Sequence, residues 1–190
     1  MSRNLIILGL PGVGKGTNAD LLSNDFSLPH ISTGDIFRNE ISEKSSLGLK
    51  VKKIITSGNL VPDEVTNKIV NKRLRGNDVL KANGFILDGY PRNIDQAKSL
   101  DNFLSKYGSK IDAVIYLKAS EKVVTERMLN RNNGRKDDNL KTISHRIEIA
   151  KQHTMPLVSY YQEENSLYTI LSDSGINDVY KKVKKAISTL

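Results

Sequence analysis

The segment that most constrains the fold is residues 4–26, where a short apolar run leads through a glycine-rich turn into a helical pattern. The run NLIIL (4–8) is typical of a buried strand, and KGTNADLLSNDF (15–26) is typical of a helix. Between them, Gly9, Gly14 and Lys15 have the spacing G-x-x-x-x-G-K of a phosphate-binding loop. The next slot, which usually carries a metal-binding hydroxyl, holds Gly16, and the hydroxyl follows one residue later as Thr17.

The context of this motif favours a phosphate site over a chance match. Glycines let backbone N–H groups turn toward phosphates, and a helix N-terminus adds partial positive charge. The spacing alone would arise by chance in roughly one chain of this length in twenty. The alternative is a Gly-Pro turn with a surface lysine, but the position directly between a strand and a helix argues against it.

The remaining apolar runs predict an α/β fold. FILD (85–88) and AVIYL (113–117) are further strand candidates, and LPHIS (28–32) and LYTIL (167–171) are weaker ones. Continuous apolar strands separated by helices indicate a central five-stranded parallel sheet covered on both faces, with function at its carboxyl edge.

Two segments do not fit the strand–helix alternation. Residues 33–62 read as a helical arm, and residues 132–138 as a short polar excursion between two helices. We expect both to lie above the sheet edge, as a substrate arm and a lid would. The chain is therefore predicted to be a single domain, with a core formed by residues 1–32, 63–131 and 139–190.

The charge balance indicates an anionic partner, since 29 Lys and Arg face 21 Asp and Glu, for a net charge of +8. Nucleic acid is disfavoured because only 6% of residues are aromatic and no stretch mixes aromatic with basic residues. Separate arginines beside glycines suit a small polyphosphate better. The absence of cysteine excludes disulfides and Cys-based zinc sites, and no apolar run approaches the ~18 residues of a membrane span. A cytoplasmic location is expected.

Several motifs resemble those of the nucleoside monophosphate kinases, and the adenylate kinases most closely. They occur in the family's order, from residue 4 to about residue 180: GLPGVGKGT (9–17), HISTGDIFR (30–38), GNLVPDE (58–64), LDGYPRNIDQA (87–97), ERMLNR (126–131), GRKDD (134–138) and Arg146. The family's own loop also carries glycine in the usual hydroxyl slot. The resemblance implies a P-loop three-layer fold and reversible Mg²⁺-dependent phosphoryl transfer from ATP to AMP, giving two ADP. Closure of the arm and lid is expected, because water must be excluded as an acceptor. A monomer is expected, since no exposed apolar stripe suggests a large interface.

The resemblance also implies roles for individual residues. The implied ATP-binding residues are Gly12, Val13, Gly14, Lys15, Gly16, Thr17, Arg127 and Gly175. The implied AMP-binding residues are Thr33, Gly34, Arg38, Asn59, Leu60, Val61, Gly89, Arg92 and Gln96. The implied catalytic residues are Lys15, Arg92, Arg131, Arg135 and Arg146. Asp137 and Asp138 would orient the lid arginines, and Asp88 would hold Mg²⁺ through water.

The choice of monophosphate depends on three residues near the predicted base site. Thr33 and Gln96 favour AMP by resemblance, whereas Asn93 gives PRN, which is common in relatives that act on UMP or CMP. A UMP/CMP kinase is therefore the alternative within the enzymes, and a nucleotide-sensing binding protein is the alternative outside them. The intact set of arginines argues against a pure binder. The short lid leaves no room for a zinc-binding hairpin, and His30, His145 and His153 need no catalytic role.

Overall fold

The part of the chain that the computed structural model describes, residues 3–130 and 139–188, is organised around a parallel sheet. Its strands are β1 (Arg3–Leu8), β2 (His30–Ser32), β3 (Gly84–Asp88), β4 (Ala113–Lys118) and β5 (Leu167–Leu171), in the order β2-β3-β1-β4-β5. Asp88 at the end of β3 pairs in register with Ser32 of β2 and with Ile7 of β1. The carboxyl ends of these three strands therefore meet at one edge, as the sequence predicts.

The helices of the described ranges cover both faces of this sheet and its carboxyl edge. They are α1 (Lys15–Phe26), α2 (Thr33–Ser42), α3 (Ser46–Thr56), α4 (Asp63–Leu74), α5 (Asn77–Lys81), α6 (Ile94–Ser105), α7 (Glu121–Leu129), α8 (Leu140–Glu163) and α9 (Ile176–Ile187). Side chains of Ser32, Asn93, Ser120 and Asn139 accept hydrogen bonds from the first turns of α2, α6, α7 and α8. Among the described helices, none combines the length and apolar character that a membrane crossing requires.

The central strands β1, β3 and β4 are buried on both faces, which is why their sequences are continuously apolar. Leu5 and Ile7 of β1 belong to one core cluster, together with Ile86 of β3. Ile6 of β1 and Leu87 of β3 belong to the other cluster. Successive residues of a strand point to opposite faces, so each run supplies both clusters.

Strand β2 is shorter than the predicted run LPHIS. Only His30–Ser32 pair with β3, because Pro29 has no N–H to give to a sheet. The Pro29 carbonyl still accepts a hydrogen bond of 2.9 Å from the Ile86 N–H.

The predicted arm has a small core of its own. Phe37, Val51 and Val61 form an apolar cluster separate from the two that cover the sheet. This cluster supports the interpretation of residues 33–62 as an arm, whose boundaries stay a prediction. The predicted lid, residues 132–138, lies outside the described residues.

Candidate active site

A cavity of about 400 Å³ lies at the carboxyl edge of the sheet, between the glycine-rich loop, α2, residues 58–61, the segment after β3 and α8. Many of the residues predicted for nucleotide binding line it: Gly12, Gly14, Lys15, Gly16, Thr17, Thr33, Gly34, Arg38, Asn59, Leu60, Val61, Asp88, Gly89, Arg92, Gln96 and Arg146. Arg131, Arg135, Asp137 and Asp138 lie outside the described residues. The cavity therefore joins motifs that are spread over more than 130 residues of sequence.

The glycine-rich loop wraps around the start of α1. Gly12 has a φ of +85°, and a Cβ there would lie 2.6 Å from the Val124 carbonyl oxygen, so a larger residue would push the loop off α7. Gly14 precedes α1 and has no side chain to cap it, which leaves the first N–H groups of the helix to face the cavity. Lys15 Nζ donates to the carbonyls of Gly9 at 2.9 Å and Leu10 at 3.0 Å. The loop thus gathers positive charge at one end of the cavity.

The glycine at position 16 faces the Asp88 carboxylate. A Cβ added to Gly16 would lie 3.4 Å from Asp88 Oδ2, so the missing side chain keeps the space beside this carboxylate open. A hydroxyl side chain in this slot would occupy the same space. The glycine that departs from the usual motif therefore leaves this space unfilled.

His30 lies in the cavity between two carboxylates, a feature that the sequence reasoning missed. Its Nδ1 is 2.8 Å from Asp20 Oδ1, and its Nε2 is 3.7 Å from Asp88 Oδ2. Burial by itself would lower the pKa of His30, but Asp88 and Asp20 outweigh burial and raise this pKa above its usual value. No sequence signal indicates this arrangement, because β2 and β3 are brought side by side only by the fold.

Three arginines are close enough in the cavity to influence one another. The Arg92 Nε donates to the Gly89 carbonyl at 2.8 Å, and Arg38 pairs with Asp35. Arg92 is exposed to solvent and forms part of the cavity wall. Desolvation lowers its pKa, the positive charges of Arg146 and Arg38 add to this effect, and Asp88 opposes it. Arginine stays protonated regardless, so the cluster is a focus of positive charge suited to phosphate.

Another part of the cavity wall is built from uncharged hydrogen-bonding groups. Thr33 is buried, and its Oγ1 donates to the Gly89 carbonyl at 2.9 Å. Gln96 is also buried, and its Oε1 accepts from the Arg92 N–H at 2.8 Å. Asn59 of the arm reaches α8, where its Oδ1 lies 2.7 Å from His145 Nε2.

The predicted donor-base residues lie beside the loop and are not among the residues that line the cavity. Arg127 of α7 lies 3.4 Å from the Val13 carbonyl, from Ser172 Oγ and from the Ser174 carbonyl. Ser172, which the sequence reasoning did not single out, donates from Oγ to the Val13 carbonyl at 2.7 Å. Gly175 is exposed, with open space where a Cβ would stand. Ser172 and Ser174, rather than Gly175, contact Arg127.

Comparison with known proteins identifies the family. Residues 7–166 match the family model described as adenylate kinase. The chain belongs to the adenylate kinase family. It is 58% identical to the adenylate kinase of Oenococcus oeni over the whole of both chains. It is 46% identical to that of Leuconostoc mesenteroides, again over the whole of both chains.

A third relative has a different length. The chain is 41% identical to the adenylate kinase of Lactiplantibacillus plantarum, with 98% of each chain covered. That alignment runs over 217 positions, although the chain has 190 residues, so this adenylate kinase carries segments that the chain lacks. The short lid predicted from the sequence is in keeping with this difference.

Proposed function

We propose that the chain transfers a phosphoryl group reversibly from Mg²⁺-ATP to AMP and so forms two ADP. The observation that carries the proposal is a single cavity lined by a glycine-rich loop with Lys15, by arginines and by the hydrogen-bonding side chains of Thr33 and Gln96. Two nucleotides placed with their phosphates together would match these groups. Membership of the adenylate kinase family and the names of the relatives support the same reaction.

Different cavity residues would bind each of the two substrates. The loop N–H groups and Lys15 would hold the outer phosphates of ATP, with Thr17 at the start of α1. Arg127 would lie against the donor base. Arg38 and Arg92 would grip the phosphate of AMP, while Thr33, Gln96 and the 59–61 segment would enclose its adenine. Each nucleotide would therefore be fixed at both its base and its phosphate.

Transfer requires alignment of the two nucleotides and stabilisation of charge. An oxygen of the AMP phosphate attacks the γ-phosphorus of ATP, and the bond to the β-phosphate oxygen breaks, so the leaving group is ADP. The attacking phosphate is already an anion, which is why no side chain need act as a base. Arg92, Arg131 and Arg146, with Arg135 of the predicted lid, would stabilise the charge on the transferred group. Asp137 and Asp138 would orient the lid arginines.

A magnesium ion fits the residues beside the loop. Mg²⁺ prefers oxygen ligands and keeps several waters, and the Asp88 carboxylate borders space that Gly16 leaves open. Asp88 would hold the ion through water, and the ion would offset negative charge on the phosphates of ATP. The arm and lid would close to exclude water, which could otherwise accept the phosphoryl group. The cytoplasmic location and the monomeric state stay predictions from the sequence.

The alternative acceptor, UMP or CMP, loses its main support in the structure. Asn93, the residue typical of pyrimidine-specific relatives, accepts from the Gln96 N–H at the start of α6 and donates to Asp63. The Asn93 side chain thus hydrogen-bonds to protein groups and is not among the residues that line the cavity. AMP is therefore the favoured acceptor.

The proposal is tested by measuring ADP formation from Mg²⁺-ATP with AMP, UMP, CMP or GMP in separate reactions, and with no acceptor. We expect strong preference for AMP and almost no ADP without an acceptor. Preference for UMP or CMP would overturn the base assignment. No turnover with any acceptor, despite binding of both substrates, would make the protein a nucleotide binder.

A further inference from the structure

The amide of Gln96 is held on both sides by protein groups. Its Oε1 accepts from the Arg92 N–H at 2.8 Å, and its Nε2 donates to Asp63 Oδ1 at 2.6 Å. The side chain is only 1% exposed and still forms part of the cavity wall. Asp63 begins α4 and stands behind Gln96, outside the cavity lining.

The Arg92 N–H and the Asp63 carboxylate permit only one orientation of the Gln96 amide. A backbone N–H can only donate, and an ionised carboxylate can only accept. If the Gln96 amide turned over, its NH₂ would face the Arg92 N–H and its oxygen would face the Asp63 carboxylate. Both contacts would then be repulsive, so the positions of the amide oxygen and nitrogen are set by the fold.

A third residue holds Asp63 in place. Asn93 Nδ2 lies 2.9 Å from Asp63 Oδ2 and 3.1 Å from Asp63 Oδ1. The Oδ1 of Asn93 accepts from the Gln96 N–H at 2.8 Å. Asp63, Asn93 and Gln96 therefore form a closed ring of hydrogen bonds that joins the starts of α4 and α6 and restrains the amide.

The fixed amide presents a defined pattern to a base. After the contacts with Arg92 and Asp63, Oε1 has one lone pair left and Nε2 has one hydrogen left. Adenine offers an amino donor at C6 beside an acceptor at N1, which complements this pattern. A 6-oxo purine offers an acceptor at C6 beside an N1–H donor, so a fixed amide would meet oxygen with oxygen and N–H with N–H. An amide free to rotate could serve either base.

We propose that Asp63 is a positioning residue that sets acceptor selectivity, by fixing the Gln96 amide in the orientation that accepts a 6-amino purine and rejects a 6-oxo purine. This inference rests on the proposed function, because it places the acceptor base beside Gln96. Unpaired buried polar groups are costly, so a site with oriented amides can discriminate strongly between bases.

The test compares AMP with inosine monophosphate, which differs from it only in the 6-oxo group and the N1–H. Asp63→Ala removes the acceptor for Nε2, and the AMP-to-IMP ratio of kcat/KM should fall roughly tenfold, the effect of one charged hydrogen bond. Asp63→Asn keeps an oxygen in place to accept from Nε2 and should retain most of the ratio. The KM for ATP should be unchanged in both variants.

Glu64→Ala is the matched control, since it removes a carboxylate from the same first turn of α4 at an exposed position. It should leave the ratio unchanged. If Asp63→Ala does not fold, Asn93→Asp serves instead, because it keeps a capping oxygen for α6 but repels Asp63 from its place beside Gln96. The ratio should fall in that variant as well.

Failure of this inference is distinct from failure of the proposed function. If the unchanged protein does not phosphorylate AMP, the proposed function is wrong. If it does, an unaltered AMP-to-IMP ratio in Asp63→Ala overturns the positioning role of Asp63. An equal fall in kcat/KM for both nucleotides would also overturn it, because general damage to the fold does not distinguish the two bases.

Discussion

Under the proposed function, the phosphate end and the base end of the cavity would recognise their ligands by different physical means. At the phosphate end, Lys15, Arg92 and the start of α1 supply positive charge, which attracts an anion over a range of positions and angles. At the base end, Thr33 and Gln96 are buried and hydrogen-bonded to protein, so only their remaining lone pairs and hydrogens meet a ligand. Charge would provide binding and catalysis at the phosphate end, and fixed geometry would provide selectivity at the base end.

The difference has a consequence for substitutions. Loss of one charge at the phosphate end removes stabilisation of the transferred group, which lowers kcat. Loss of one hydrogen bond at the base end changes the binding of one nucleotide, which raises its KM or changes the preference among bases. The two ends should therefore respond differently in kcat and in KM.

The largest expected effect is that of Arg92→Ala. The guanidinium stands near Arg38, Arg146 and Asp88, in a part of the cavity whose positive charge attracts phosphate. We expect kcat to fall roughly a thousandfold, as for other arginines that stabilise phosphoryl transfer, with the fold retained. Steady-state kinetics of ADP formation and the thermal unfolding midpoint would measure both quantities.

Arg73→Ala provides the comparison for that variant. Arg73 lies near the end of α4 and pairs with Asp78 on the surface, with Nη1 at 2.9 Å from Asp78 Oδ1. Its removal should leave kcat unaltered, because Arg73 is not among the residues that line the cavity. The fold should also be retained, because a surface ion pair contributes about 1 kcal/mol or less to stability. Near-normal turnover of Arg92→Ala would refute the role of the arginine cluster.

An intermediate effect is expected for Gly16→Ala, which separates stability from activity. Gly16 lies in the first turn of α1, and its φ is not among the positive glycine values, so alanine should stabilise the protein by about 0.5–1 kcal/mol. The added methyl would stand 3.4 Å from Asp88 Oδ2, in the space proposed for Mg²⁺ and its waters. Displacement of the ion or phosphates should lower turnover by roughly ten- to hundredfold.

Chemical denaturation and a Mg²⁺ titration of turnover would follow the two effects of Gly16→Ala separately. A more stable protein that needs more Mg²⁺ would agree with the role of the glycine. Unchanged turnover at every Mg²⁺ concentration would show that the space beside Asp88 is not used.

The sheet could be predicted from the sequence because each strand is a separate apolar run, and the central strands β1, β3 and β4 are buried on both faces. The β3 and β4 runs differ from the observed strands by one residue, and β2 differs because Pro29 cannot join the ladder. Motifs also predicted most of the cavity lining, since the phosphate loop and the 87–97 segment are continuous in sequence. Arg131 and Arg135 stay predictions, because they lie outside the described residues.

The contacts that hold the site residues in place could not be predicted in this way. Asp63 meets Gln96 across 33 positions, and Ser172 meets Val13 across 159. Such pairs depend on how helices and strands pack, and local periodicity contains no information about that packing. His30 was set aside for the same reason, because its two carboxylate neighbours come from α1 and the end of β3.

The smallest effect is expected at the base end, for Thr33→Val. Valine has nearly the shape of threonine, so the change removes the hydroxyl, with its 2.9 Å hydrogen bond to the Gly89 carbonyl, and leaves the packing intact. The Thr33 hydroxyl already donates its hydrogen to the Gly89 carbonyl. Its oxygen can therefore only accept a hydrogen bond from a base, which suits the 6-amino group of adenine. The KM for AMP should rise about threefold to tenfold, the effect of one neutral hydrogen bond, with kcat and the KM for ATP nearly unchanged.

The outcome of Thr33→Val would sharpen the contrast between the two ends of the cavity. A rise confined to the KM for AMP would mean that Thr33 contributes to recognition of the base alone. A comparable loss in kcat would mean that the bond from Thr33 to Gly89 also positions Arg92, whose Nε donates to the same Gly89 carbonyl at 2.8 Å. In that case the two ends would be coupled through this one carbonyl, and a double variant with Arg92→Ala would lose less activity than the two single effects predict.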